Sequence, residues 1–161
     1  MNTFERTRKK KETSLYTLIW MMGIGSALSW ETAELMNSQH PYLAPLSVIL
    51  CLQSTYNQTL RLSLKRIIGT IIGILLIVIV SGYLHVNGWS LGLLILVGGF
   101  ISAWLKFDKV VLHQLAITIL CVFVFEQNNS GYAMDRVLDT IVGIIYAIVI
   151  QFLYSHKKLT L

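Results

Sequence analysis

Six long apolar runs, nearly empty of charge and separated by short polar breaks, decide what this chain can become. They cover residues 15–36, 42–56, 67–84, 88–105, 109–126 and 134–154. A helix rising 1.5 Å per residue needs about 20 apolar residues to cross a hydrocarbon core about 30 Å thick, and somewhat shorter stretches are tolerated. Each run is therefore expected to be a transmembrane helix. The second is the weakest, being short and carrying Pro45, so it is expected either to kink or to continue as helix through the polar stretch NQTLRLSLKR. The breaks NSQHP, SGYLHVNG, KFDK and EQNNSGY have the polar, Gly and Pro content of short loops.

Composition agrees with a life in lipid. Of 161 residues 55% are hydrophobic and 13% charged, with a mean hydropathy of +0.65. One soluble domain could not enclose that much apolar side chain. The charges gather in ERTRKKKE at the start and HKK near the end. A cleaved signal is not expected, because the first run ends in SWETAELM rather than small-residue cleavage chemistry and five more runs follow. Cys51 and Cys121 lie inside apolar runs without a CxxC partner, so neither a disulfide, a metal nor a cofactor is expected.

Lys and Arg in short loops stay on the cytoplasmic side. With the N-terminus inside, the cytoplasmic segments hold Arg6, Arg8, Lys9, Lys10, Lys11, Arg61, Lys65, Arg66, Lys106, Lys109, Lys157 and Lys158, twelve of the thirteen basic residues. Only Arg136 is left outside, near Glu126, Asp135 and Asp139. The basic tail thus has a topogenic explanation, and nucleic acid is not an expected partner. The expected organisation is a basic cytoplasmic tail at 1–14, a six-helix transmembrane domain at 15–154, and a short cytoplasmic tail at 155–161.

The chain also echoes itself. KRIIGTIIGILLIVIV at 65–80 aligns without a gap on DRVLDTIVGIIYAIVI at 135–150, pairing Arg66 with Arg136, Thr70 with Thr140, Ile71 with Ile141, Gly73 with Gly143 and Ile74 with Ile144. The same offset pairs ILC at 49–51 with ILC at 119–121, and Ala33 with Ala103. Three helices lie between the copies, so the fold class expected is all-α, polytopic, with six transmembrane helices in a 3+3 inverted repeat at about 15–84 and 88–154. Such repeats enclose a midplane site in secondary transporters. Resemblance by apolar composition alone is the competing explanation of the echo.

Gly69 and Gly73 form GxxxG and, with Gly143, are expected to pack helices closely. Ionisable groups inside a span are costly unless paired or wetted. Glu31 and Glu34 share one helix face, as do Arg136 and Asp139. Such a cluster can carry a proton or receive an anion, or the four can snorkel to headgroups. Gln53, Ser54 and Thr55 can bond a substrate or a neighbouring helix. His113 has the right chemistry for proton coupling, though a lone histidine near an interface is more often structural. No nucleophile stands beside a base, so no enzyme is expected.

The stretch LAPLSVILCLQSTYNQTLRLSLKRIIGTIIGILL at 43–76 resembles the signature of the aromatic acid exporter and fusaric acid resistance superfamily. There a Gln-x-Thr-like segment leads through a basic stretch into R-x-x-G-T-x-x-G, here Gln53, Thr55, Arg66, Gly69, Thr70 and Gly73. The likeness covers the family's membrane half. It implies efflux of aromatic or other small organic acids across the inner membrane, coupled to protons. Arg66, Gln53, Thr55, Thr70 and Arg136 then become candidates for substrate binding or gating, and Glu31, Glu34 and Asp139 for proton coupling. Family members commonly add a cytoplasmic domain, so a lone six-helix unit is expected to form a homodimer. The alternative is a non-transporting scaffold or partner subunit of an envelope complex.

The charge pattern makes a prediction about topology. A cysteine placed in NNSGY is expected to react with an impermeant maleimide from the outside of intact cells, and labelling from the cytoplasmic face alone would overturn the orientation.

Overall fold

A computed structural model describes residues 3–80, 87–125 and 131–159, with side chains described over 15–80, 87–125 and 131–156. Among the described residues the fold is all-helical: α1 (Thr3–Leu35), α2 (Leu43–Cys51), α3 (Tyr56–Val80), α4 (Gly88–Trp104), α5 (Lys109–Phe125) and α6 (Tyr132–Leu159). α3 and α6 each contain a stretch long and apolar enough to cross a membrane, while α4 and α5 are shorter apolar helices. Of the expected breaks SGYLHVNG (81–88) and EQNNSGY (126–132), residues 81–86 and 126–130, Glu126 among them, lie outside the described residues. α1 begins well before residue 15, carrying helix back through the basic segment.

α2 differs most from expectation. It has nine residues, about 13.5 Å of rise, less than half of a hydrocarbon core. Pro45 sits in its first turn, where a missing N–H breaks no helical bond, so no kink results. The helix ends because Leu52 turns extended (φ −69, ψ 128). NQTLRLSLKR is helical, but as the opening turns of α3, and the Gln53 N–H donates to Thr59 Oγ1 (2.9 Å) across the break.

α1 and α4 stop by the same device. Asn37 and Lys106 both take φ 56. Behind them the Ser38 N–H donates to the Ala33 carbonyl (3.0 Å) and the Phe107 N–H to the Ser102 carbonyl (3.0 Å). The Asn37 N–H donates to the Glu34 carbonyl (2.9 Å) and the Lys106 N–H to the Ala103 carbonyl (3.0 Å). These pairs of bonds are Schellman closures, which satisfy carbonyls a helix end leaves open.

The chain divides into two compact units, residues 1–62 with 139–161, and residues 63–138. These are not the sequence halves. The first gathers α1, α2 and most of α6, the second α4, α5 and most of α3.

The interiors of the two units are built alike. In the first, a Cβ on Gly143 would lie 2.1 Å from the Ala44 carbonyl oxygen and 2.5 Å from Ser47 Cβ. In the second, one on Gly73 would lie 2.9 Å from Thr118 Cβ and 3.3 Å from the Leu115 carbonyl oxygen. α1 lies on α2 through Gly25 against Val48, and α4 on α5 through Gly98 against Leu115 and Ile119. Buried, half-buried and exposed positions follow one order at 64–71 and 134–141, and again at 41–52 and 112–123.

That order corrects two of the sequence pairings. α2 and α5 correspond with an offset of 71, not 70, so the ILC echo joins exposed Ile49 (45%) to fully buried Ile119 (0%). The closures of α1 and α4 correspond at 69, matching buried Ala33 with buried Ser102 rather than with exposed Ala103. A one-residue shift turns a helix by about 100°, enough to move a side chain to another face.

Outside, the described helices are apolar: Trp20, Trp89, Phe100 and Trp104 are each more than two-thirds exposed. Such a surface in water would be an aggregation liability.

Gly143→Ala should therefore cost about 3 kcal/mol or more, because the clash is with backbone, whereas Gly73→Ala, meeting a Thr side chain, should cost less. Gly23 has nothing within 4 Å, so Gly23→Ala should stabilise by up to about 1 kcal/mol. Unfolding titrations in mixed micelles would rank the three.

Candidate functional site

Polar side chains line one buried face of each long apolar helix. On α3 these are Thr59, Ser63, Arg66 and Thr70, and on α6 Arg136, Asp139, Thr140 and Gln151. On α3 successive spacings of four, three and four residues keep the set on one face, and on α6 Asp139 and Thr140 lie three and four residues beyond Arg136, with Gln151 about three turns further along. The two arginines are the largest fully buried side chains described.

Arg66 has a partner that its surroundings provide. A Cβ on Gly69 would lie 2.8 Å from Gln114 Cβ and 3.0 Å from the Val111 carbonyl oxygen, so the missing side chain lets α5 lie against α3. Across that contact Arg66 Nη1 donates to Gln114 Oε1 at 2.7 Å. Thr70, the next turn along, is also buried. Lys65, beside them and more exposed, pairs with Asp108 at the α4–α5 turn.

Arg136 is different. It is 1% exposed, and its Nε and Nη1 have no hydrogen-bond partner. One turn further along α6, the Thr140 hydroxyl is likewise buried without a partner. A desolvated, unsatisfied guanidinium is costly, more so near the positive end of a helix. An incoming anion would relieve both terms.

The carboxylates divide by burial. Glu31 and Glu34 are exposed on α1, whereas Asp139 is 1% exposed and accepts the Ser38 hydroxyl at 2.6 Å. Gly69 and Asp139 hold corresponding positions: the glycine admits the neighbouring helix, and the carboxylate binds the turn after α1. Glu31 and Glu34 thus lie off the buried face of α1.

Gln53 and Thr55 part company as well. Gln53 lines a small cavity of about 10 Å³ with Thr17, Leu18, Met21, Ser54, Gln151 and Tyr154, about the room of one water in a wall of mixed character. The buried Gln151 Oε1 has no partner. Thr55 is exposed, and its carbonyl accepts from Thr59 N–H at the start of α3. His113 is exposed, its Nδ1 2.6 Å from the Lys109 carbonyl of the preceding turn. Cys51 is buried and Cys121 half-buried, neither of them in a disulfide, and no metal-binding cluster occurs among the described residues.

Sequence reasoning missed Gln114 and Ser38. Gln114 is the one amide in the apolar run of α5, a signal masked by the histidine beside it. Ser38 sits in a loop and had no signal.

The family model for fusaric acid resistance protein-like proteins matches residues 26–150. Curated relatives described as "Putative arylamide transporter", from Mycobacterium bovis and from strains of Mycobacterium tuberculosis, are 26% identical over 152 residues. The match covers 86% of this chain and 41% of theirs, so the chain spans about two-fifths of the length of these relatives. No solved structure matches.

Gln114→Leu removes a neutral acceptor from a buried cation and should cost about 1.5–3 kcal/mol. Unfolding titrations against Gln114→Glu, which keeps an acceptor, would check it: equal losses would show that packing and not the bond matters.

Proposed function

The chain belongs to the fusaric acid resistance protein-like family, and from that premise we propose a membrane carrier that exports small aromatic or other organic acids across the inner membrane, driven by protons. Family and relatives support a transport role in general. The observation that carries the acid is Arg136, buried with two nitrogens unsatisfied. In this reading Arg136 binds the substrate's carboxylate, while Arg66, already bonded to Gln114, gates or braces α3 with Thr70. Gln53 contributes a polar group to its small cavity, and Thr55 serves only to start α3.

Asp139 is the proton-coupling group of choice, because it is the buried carboxylate and its bond to Ser38 differs between its charged and neutral forms. Glu31 and Glu34, being exposed, serve at most to gather protons at the surface.

The same reading takes the chain as a 3+3 inverted repeat with both ends cytoplasmic. The matching glycine contacts, helix closures and burial orders support a duplication, and the charge pattern supports the inversion. Each half would then lend its third helix to the other half's compact unit. Because α2 is a half-length helix, its crossing is completed by the extended segment and the first turns of α3. A homodimer, formed through the exposed apolar faces, would complete the assembly.

Everted vesicles should accumulate 4-hydroxybenzoate when a proton gradient is applied. Arg136→Gln should lower uptake by about two orders of magnitude, the usual consequence of losing one partner of a buried charge pair. Asp139→Asn should keep acid exchange but lose its dependence on the gradient. Wild type and Arg136→Gln behaving alike over a panel of acids would favour the scaffold instead.

A further inference from the structure

Between α3 and α4, in the unit of residues 63–138, lies a cavity of about 300 Å³. Aliphatic side chains make its walls, Ile72, Leu75, Leu76, Ile79 and Val80 from α3 with Val97 and Ile101 from α4, and because Leu75, Ile79 and Val97 are themselves exposed the cavity opens on the outside of the unit. None of them can donate or accept a hydrogen bond. Pockets of this size lie at the lower end of the range that takes small molecules, enough for one ring with small substituents.

The other unit contains the corresponding place, and there it is occupied. By the registers that match the two interiors, Leu76 corresponds to Tyr146 at an offset of 70 and Ile101 to Thr32 at 69. Tyr146 packs against the buried group Ala33, Ala44 and Val142. Its hydroxyl lies 2.7 Å from Thr32 Oγ1, tying α6 to α1. Where one unit has a phenol ring and the hydroxyl that anchors it, the other has leucine, isoleucine and an open cavity.

We propose that this cavity is a binding subsite for a single aryl ring. It stands where the protein itself places a ring, and its wall is apolar throughout, so it takes a ring face and leaves any carboxylate or amide to groups elsewhere. The ligand class is a monocyclic aromatic compound. For its role as substrate subsite, the inference rests on the transport reading above.

The test uses the full chain in nanodiscs of phosphatidylethanolamine and phosphatidylglycerol, with 3-trifluoromethyl-3-phenyldiazirine as probe and peptide mapping of the photolabel. Label is expected to concentrate on residues 72–80 and 97–101, to saturate, and to fall by roughly an order of magnitude under excess toluene. Leu76→Tyr with Ile101→Thr installs the first unit's pair and should bring labelling down to the level of the lipid-facing Leu93 and Leu96. The reciprocal Tyr146→Leu with Thr32→Ile should open a second labelled site on α1 and α6. Helix content and elution of each variant are compared with wild type, so that a collapsed variant is replaced by the reciprocal one.

Three results would overturn the proposal: label that never saturates, label displaced by decane as readily as by toluene, which marks a groove for acyl chains, and label undiminished in the filled variant. Saturable labelling in a protein that moves no acid would uphold the subsite and overturn the transport reading alone.

Discussion

The contact on which the packing depends is the approach of α6 to the backbone of α2 at Gly143. With a hypothetical Cβ only 2.1 Å from the Ala44 carbonyl oxygen, no other residue fits without moving a helix. In lipid the hydrophobic effect does not drive helices together, so association relies on close van der Waals approach. Gly143 and Ser47 supply it in one unit, and Gly73 and Thr118 in the other. Once these helices touch, the small residues of α1 and α4 have a surface to lie on.

Two stretches of chain with the same burial order make their differences informative. Arg66 meets Gln114, while Arg136 has nitrogens without partners. Gly69 admits α5, while Asp139 binds Ser38. Leu76 and Ile101 border a cavity that Tyr146 and Thr32 fill in the other unit. In every case the shared feature is packing and the divergent one is chemistry.

Much of this was legible in one dimension. The apolar runs found the six helices, because continuous apolar side chain is what a helix in hydrocarbon must present, but not their ends: α1 begins twelve residues and α3 eleven before its run, and α2 stops five short of its own. The echo at 65 and 135 found the two arginines and the glycines, since close packing restricts residue type severely. The rest was hidden for physical reasons. The break inside the second run follows from backbone torsions at Leu52 that no residue there announces. The offsets of 69 and 71 depend on loop lengths, which sequence identity over a few residues cannot resolve. Glu31 and Glu34 share a face with one another, but periodicity alone does not say whether that face looks inward.

The amino-acid sequence by itself determined the helical class, the apolar exterior and the charge asymmetry between loops, because these follow from composition and local spacing. Tertiary structure decided which arginine has an amide partner, which carboxylate is buried, and which copy keeps an open cavity. Those are properties of pairs of residues far apart in the chain, Arg66 with Gln114, Ser38 with Asp139, Thr32 with Tyr146, and only packing brings such pairs within bonding distance.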